Sequence, residues 1–122
     1  VGLCISRDGG ATWTIEQDGL HALHCTAVAF SGNDMLVSAA TDHFADQGAV
    51  YRLPIDEKGP LQPVSGLPRW LGGIVDTGCI ATLGSALAVA DKTGNLYASA
   101  DGGHSWRHRD HDLPMVSKVL LI

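Results

Sequence analysis

Carboxylates, imidazoles and one Arg–Trp pair gather in a few Gly- and Pro-punctuated segments of this 122-residue chain. Asp42-His43-Phe44-Ala45-Asp46 puts two acids, an imidazole and an aromatic ring into one short stretch. Arg69-Trp70 sets a guanidinium beside an indole in a Gly-flanked loop, a pairing suited to stacking on a sugar ring and holding a carboxylate or hydroxyl. The alternative is a core tryptophan. Glycoside hydrolysis needs two carboxyl groups flanking the bond, one kept protonated by its surroundings. Asp42, Asp46, Asp76 and Asp110 are the acids that fall in suitable segments. Asp76, in Gly73-Ile74-Val75-Asp76-Thr77-Gly78, is the one to test first, and an Asp capping its own turn explains it equally well.

Metal chemistry is suggested by letters more than by spacing. His104, His108 and His111, with Asp110 and Asp112, read as H-x3-H-x2-H. On a strand and its exit, side chains alternate faces, so three ligands do not converge by spacing alone. A solvated outer strand is the expectation, and His21 and His24 are read the same way. Asp42 and Asp46 with His43 offer oxygens to a cation, but one short loop supplies too few fixed ligands. No metal and no cofactor are expected. A serine-nucleophile elbow, a phosphate loop and a dinucleotide fingerprint are all missing.

The elements that position these residues are set by a repeated turn. Ser6-Arg7-Asp8-Gly9-Gly10-Ala11-Thr12-Trp13 and Ser99-Ala100-Asp101-Gly102-Gly103-His104-Ser105-Trp106 both fit S-x-D-x-G-x-[T/S]-W. The Asp carboxylate accepts N–H groups of its own turn, Gly supplies positive φ, and Ser or Thr tethers the turn. Trp, opening the returning strand, is expected in the core. Asp8 and Asp101 lie 93 positions apart, about two repeat units of roughly 40–45 residues. A degenerate copy between them, Val50-Tyr51-Arg52-Leu53-Pro54-Ile55-Asp56-Glu57-Lys58-Gly59, keeps the apolar strand, the Asp and a Gly but lacks the Ser and Trp.

Downstream of each turn the chain repeats again: Gly19-Leu20-His21-Ala22-Leu23, Gly66-Leu67-Pro68-Arg69-Trp70, and Asp112-Leu113-Pro114-Met115. Apolar strands follow at 26–30, around 74–82, and at 116–122, with second strands at 35–40 and 86–90. The unit is four short antiparallel strands. No helical periodicity extends over a dozen positions, so an all-β fold is expected.

The two full motifs, at two-unit spacing, resemble the Asp-box, or bacterial-neuraminidase-repeat, class of β-propeller, which includes sialidases and sortilin-type receptors. The resemblance implies a partial propeller. Residues 1–24 would be outer strands of a preceding blade, 25–65 and 66–109 complete blades, and 110–122 the first strand of a following or closing blade. In that class Ser6, Asp8, Gly10, Thr12, Trp13 and their counterparts Ser99, Asp101, Gly103, Ser105, Trp106 would be structural. Ligands would meet loops 18–24, 41–48, 67–73, 91–95 and 110–115 on the opposite face, making His43, Phe44, Asp46, Arg69 and Trp70 the binding candidates. Tyr51-Arg52-Leu53-Pro54 is similar to the [F/Y]-R-I-P motif of sialidases but sits on a third strand, away from that motif's place, so no catalytic role is assigned to Arg52. The function expected is a non-catalytic binding or assembly scaffold. The alternative is part of a sialidase-like or other glycoside hydrolase, with Asp42, Asp76 and Asp110 as weak catalytic candidates. Open blade faces imply partners: remaining blades of a longer chain or copies of itself, with carbohydrate or protein as ligand.

Bulk properties narrow the class. Thirteen acidic and eight basic residues give a net charge of −5, the wrong sign for a nucleic-acid module. No apolar run reaches the roughly twenty residues of a membrane helix. Val1 opens the chain without a visible targeting segment, as in a processed or excised piece. Cys4, Cys25 and Cys79 lack C-x-x-C spacing and read as small buried hydrophobes with free thiols, favouring a reducing compartment; one disulfide plus an odd thiol is the alternative.

Overall fold

The computed structural model describes residues 1–122 and is all β, with antiparallel sheets and no helix. No helix long and apolar enough to cross a membrane is present. β1 (Leu3–Ile5) and β2 (Thr14–Glu16) pair across the first repeat turn. β3 (His24–Ser31), β4 (Asp34–Ala40), β5 (Gln47–Pro54) and β6 (Gln62–Pro63) follow as a meander, and β7 (Leu71–Gly72) also pairs with β5. β8 (Ile80–Leu83), β9 (Ala86–Ala90), β10 (Leu96–Ser99) and β11 (Arg107–Asp110) form the third sheet, in chain order. No sheet closes into a barrel.

Period-two alternation on β4 and β5 builds two cores, one on each face of the middle sheet. Met35, Val37, Ala39, Tyr51 and Leu53 pack with Leu3, and Ile5 of β1 lies against them. Leu36 and Val50 pack with Leu87, Val89 and Tyr97 of the third sheet. Each such side chain, fully buried, contributes about 1.5–3 kcal/mol. The first strands of the two larger sheets, β3 and β8, lie against each other.

Both repeat turns form as their residue types require. Asp8 Oδ1 accepts from the Ser6 hydroxyl (2.9 Å) and the Thr12 N–H (2.8 Å), and Oδ2 accepts from the Thr12 hydroxyl (2.5 Å). Ser99, Asp101 and Ser105 repeat these bonds at 2.8, 2.9 and 2.6 Å. Gly10 and Gly103, at φ +96° and +83°, donate N–H to the Ser6 and Ser99 hydroxyls. Three hydrogen bonds to the ionised form hold Asp8 at about 2, below its ordinary 3.8, with the Thr12 hydroxyl the largest cause. Asp101 is lowered further, chiefly by Ser105.

The two tryptophans part company. Trp106 lies against the core between the middle and third sheets, close over Gly66. Trp13, expected in the core, is 65% exposed. Its Nε1–H donates to the Gly10 carbonyl (3.1 Å), but β1–β2 has no sheet on its other face for the ring to pack against.

Other expectations need correction. Residues 116–122 form no strand and make one backbone bond, from the Val119 N–H to the Gly78 carbonyl (2.9 Å). Of the strand around 74–82 only β8 forms, because a turn at Asp76, with Gly78 at φ +81°, interrupts it. Cys25 and Cys79 are sheltered free thiols, and burial raises both pKa values, but Cys4 is exposed on the uncovered face of β1.

Candidate functional site

One rim of the molecule carries the repeat turns. There the turns 32–33, 84–85 and 101–104 line one shallow surface, tied by the Gly102 N–H donating to the Ser85 carbonyl (2.8 Å). Two arginines latch neighbouring sheets on this rim. Arg7 of the first repeat turn donates to the carbonyls of Ile55 (3.4 Å) and Glu57 (2.9 Å) in the middle turn. Arg52 donates to the Gly102 carbonyl and pairs with Asp34 at 3.4 Å. The guanidinium of the Tyr51-Arg52-Leu53-Pro54 stretch thus ties two sheets together on this rim.

Loops 18–23, 41–46 and 67–70 meet elsewhere, in a cleft of about 440 Å³ lined by His21, Thr41, Ala45, Asp46, Gln47 and Trp70. Backbone contacts position them. The Gly73 N–H donates to the Asp46 carbonyl (2.8 Å), holding the 41–46 loop against the segment after Trp70. The Leu61 N–H donates to the Asp18 carbonyl (2.7 Å), and a Cβ on Gly19, at φ +88°, would sit 2.0 Å from the Leu61 oxygen.

Tyr51 organises the floor. Its ring is fully buried, and its hydroxyl accepts from the His21 N–H (3.2 Å) and from Arg69 Nη2 (3.3 Å). A phenol has one proton and two lone pairs, so with both lone pairs engaged the proton goes to His21 Nδ1, 2.6 Å away. That bond fixes the imidazole as the neutral Nε2–H tautomer. Burial first, then the Arg69 charge, lowers the His21 pKa below its ordinary 6.5, in the same sense.

Arg69 also lies over the Trp70 indole, its guanidinium carbon 4.1 Å from the ring centroid, while the His21 ring meets Trp70 edge-on at 4.7 Å. Trp70 is 41% exposed, so it is not a core residue. The Asp46 carboxylate is exposed and makes no hydrogen bond within the protein.

The other named residues sit apart. Phe44 is 80% exposed, with Lys92 Nζ 5.4 Å from its ring centroid. His43 and Asp76 line a separate cavity of about 180 Å³ with Lys92, Ile74, Met115 and Val116, where Lys92 donates to the His43 carbonyl (3.3 Å). Each of the three catalytic candidates caps its own turn. Asp42 Oδ1 accepts the Phe44 N–H (2.7 Å), Asp76 Oδ1 the Thr77 N–H (2.7 Å), and Asp110 Oδ1 the His111 N–H (2.8 Å).

The histidines of the 104–111 segment turn to different partners. His104 Nδ1 faces Arg52 at 3.1 Å, His108 stacks on Tyr97 and bonds Asn95, and His111 pairs with Asp112 at 3.0 Å. No three His, Cys, Asp or Glu side chains are grouped to hold one metal ion.

Sequence reasoning put His21, Gln47 and Asp91 in ligand-face loops and Tyr51 on a strand, but named none of the four as a binding or organising residue. A signal for His21 was present: segments 19–23 and 66–70 occupy equivalent repeat positions, and such positions on adjacent units are the ones that touch. Asp91 is a buried carboxylate that accepts from the N–H groups of Gly72, Thr93 and Asn95, the Thr93 hydroxyl and the Asn95 amide. It ties β7 to the β9–β10 turn.

No family model, curated protein or solved structure matches this chain.

Proposed function

We propose that this chain is a non-catalytic binding and assembly scaffold built from Asp-box propeller repeats, with loops 18–24, 41–48 and 67–73 as its ligand face. One observation carries the reading: the division of labour between the two sets of loops. Asp8 and Asp101 are each satisfied inside their own turns, so these turns serve structure. The cleft loops instead present an unpartnered Asp46 carboxylate and a part-exposed Trp70 indole. In this reading the middle and third sheets are complete blades and β1–β2 the outer half of another. Val28 and Phe30, exposed on the same face of the middle sheet that β1 covers further out, support further strands lying there. Those strands come from more of the same polypeptide or from a second copy. Asp42, Asp76 and Asp110, each capping a turn of its own, support a binding role over a hydrolytic pair.

Incubation with a panel of fluorogenic α- and β-glycosides, sialosides included, tests the reading. The expected result is no turnover above the buffer rate. Turnover that falls at least tenfold in Asp42→Asn, Asp76→Asn or Asp110→Asn would replace the scaffold with a hydrolase.

A further inference from the structure

We propose that the cleft between His21, Asp46 and Trp70 binds a neutral, hydroxyl-rich ring, a carbohydrate without a carboxylate or ammonium group. The inference rests on the reading of these loops as the ligand face and adds the class of ligand.

The chemistry of the lining selects that class. An anion needs donors only and a cation acceptors only, whereas each sugar hydroxyl both donates and accepts. The cleft offers both kinds side by side. Asp46 contributes two acceptor oxygens, Gln47 a carbonyl and an amide, and Thr41 a hydroxyl. His21 contributes one donor, because its Nδ1 already takes the Tyr51 proton and leaves Nε2–H as the ring's remaining polar atom.

Charge argues against the ionic classes. The one formal charge on the lining is the Asp46 carboxylate, which repels an acidic sugar. The positive charge nearby lies outside the lining: Arg69 donates to the Tyr51 hydroxyl and stacks 4.1 Å from the Trp70 centroid. A second cation on the same indole would meet the first across one ring. An apolar C–H face of a pyranose carries no such penalty. It matches an indole that is 41% exposed and steadied by Arg69 and by the His21 edge. The volume of about 440 Å³ falls within the roughly 300–1,000 Å³ of small-molecule sites.

The arrangement is built in advance. Fully buried Tyr51 orients the imidazole and the guanidinium through one hydroxyl, and Arg69 and His21 in turn brace Trp70. Such second-layer support keeps a weak site ordered without ligand.

The test is an NMR titration of the full chain, following the Trp70 indole N–H and the His21 ring. Three probe sets are used: neutral cello-, malto- and chito-oligosaccharides, N-acetylneuraminic acid, and choline. At least one neutral series should shift both signals in a saturable way, at millimolar or lower Kd. Trp70→Ala should weaken that binding at least tenfold and Asp46→Asn several-fold, while Trp13→Phe leaves it unchanged. Saturable shifts at Trp70 from the acidic sugar or choline, exceeding those of every neutral sugar, overturn the ligand class and leave the ligand face standing. No response at these loops to any probe overturns both. Neutral-sugar binding that survives Trp70→Ala with the fold intact places the site elsewhere and also overturns the inference.

Discussion

The Tyr51 hydroxyl lies 2.6 Å from His21 Nδ1, with the His21 N–H and Arg69 Nη2 donating to the same oxygen. One buried phenol therefore sets the tautomer of a residue on one loop and the pose of a residue on another.

Tyr51→Phe removes that oxygen and leaves its donors unpaired. Chemical denaturation should show a loss of about 1–3 kcal/mol, and imidazole ¹⁵N shifts should show His21 sampling both tautomers. The wild-type His21 titrates below its ordinary 6.5. A depressed folded-state pKa contributes stability that is fully present above 6.5 and is lost as pH falls through the folded value. Loss of the hydrogen bond donated to neutral Nδ1 should raise the variant's midpoint, while burial and the Arg69 charge continue to hold it down. An unchanged midpoint and a single tautomer would contradict the proton assignment.

Acid unfolding should report the repeat turns. Asp8 is held at about 2 against an ordinary 3.8, and Asp101 lower still. Both folded values are depressed, so the stabilisation is complete above about pH 4 and disappears as pH falls toward 2 and below. Asp8→Asn and Asp101→Asn should each flatten the acid limb of stability against pH. An acid limb identical to wild type in both variants would refute the coupling.

The two tryptophans of the same motif should differ in cost. Trp106→Ala empties a site packed on the core and against Gly66, and should cost about 2–3 kcal/mol. Trp13→Ala, at a 65% exposed position, should stay within about 1 kcal/mol. Urea midpoints compare them, and equal losses would contradict the asymmetry.

Asp91→Ala leaves donors from Gly72, Thr93 and Asn95 without their buried acceptor. The expected cost is at least about 3 kcal/mol, with amide exchange accelerated at Gly72 and Asn95. Protection at those amides equal to wild type would show that the carboxylate is dispensable.

Much of this architecture is legible in the chain itself. The Ser–Asp–Gly–Trp spacing specifies a turn because every bond it makes is local: Asp8 finds Ser6 and Thr12 within four residues. Strand order follows from turn spacing and period-two alternation, which are also short-range, so the all-β meander could be written down in advance. Trp13, the 116–122 segment and the cleft were decided differently. Whether an indole is buried depends on a sheet lying over it, and β1–β2 has none on that side. An apolar segment becomes a strand only beside a free ladder. His21, Tyr51 and Arg69 meet across 18 to 48 positions of chain, and nothing in local propensity encodes which hydroxyl will find which ring. The sequence determined the turns and the strands; the stacking of sheets decided which residues face one another, and with it the site.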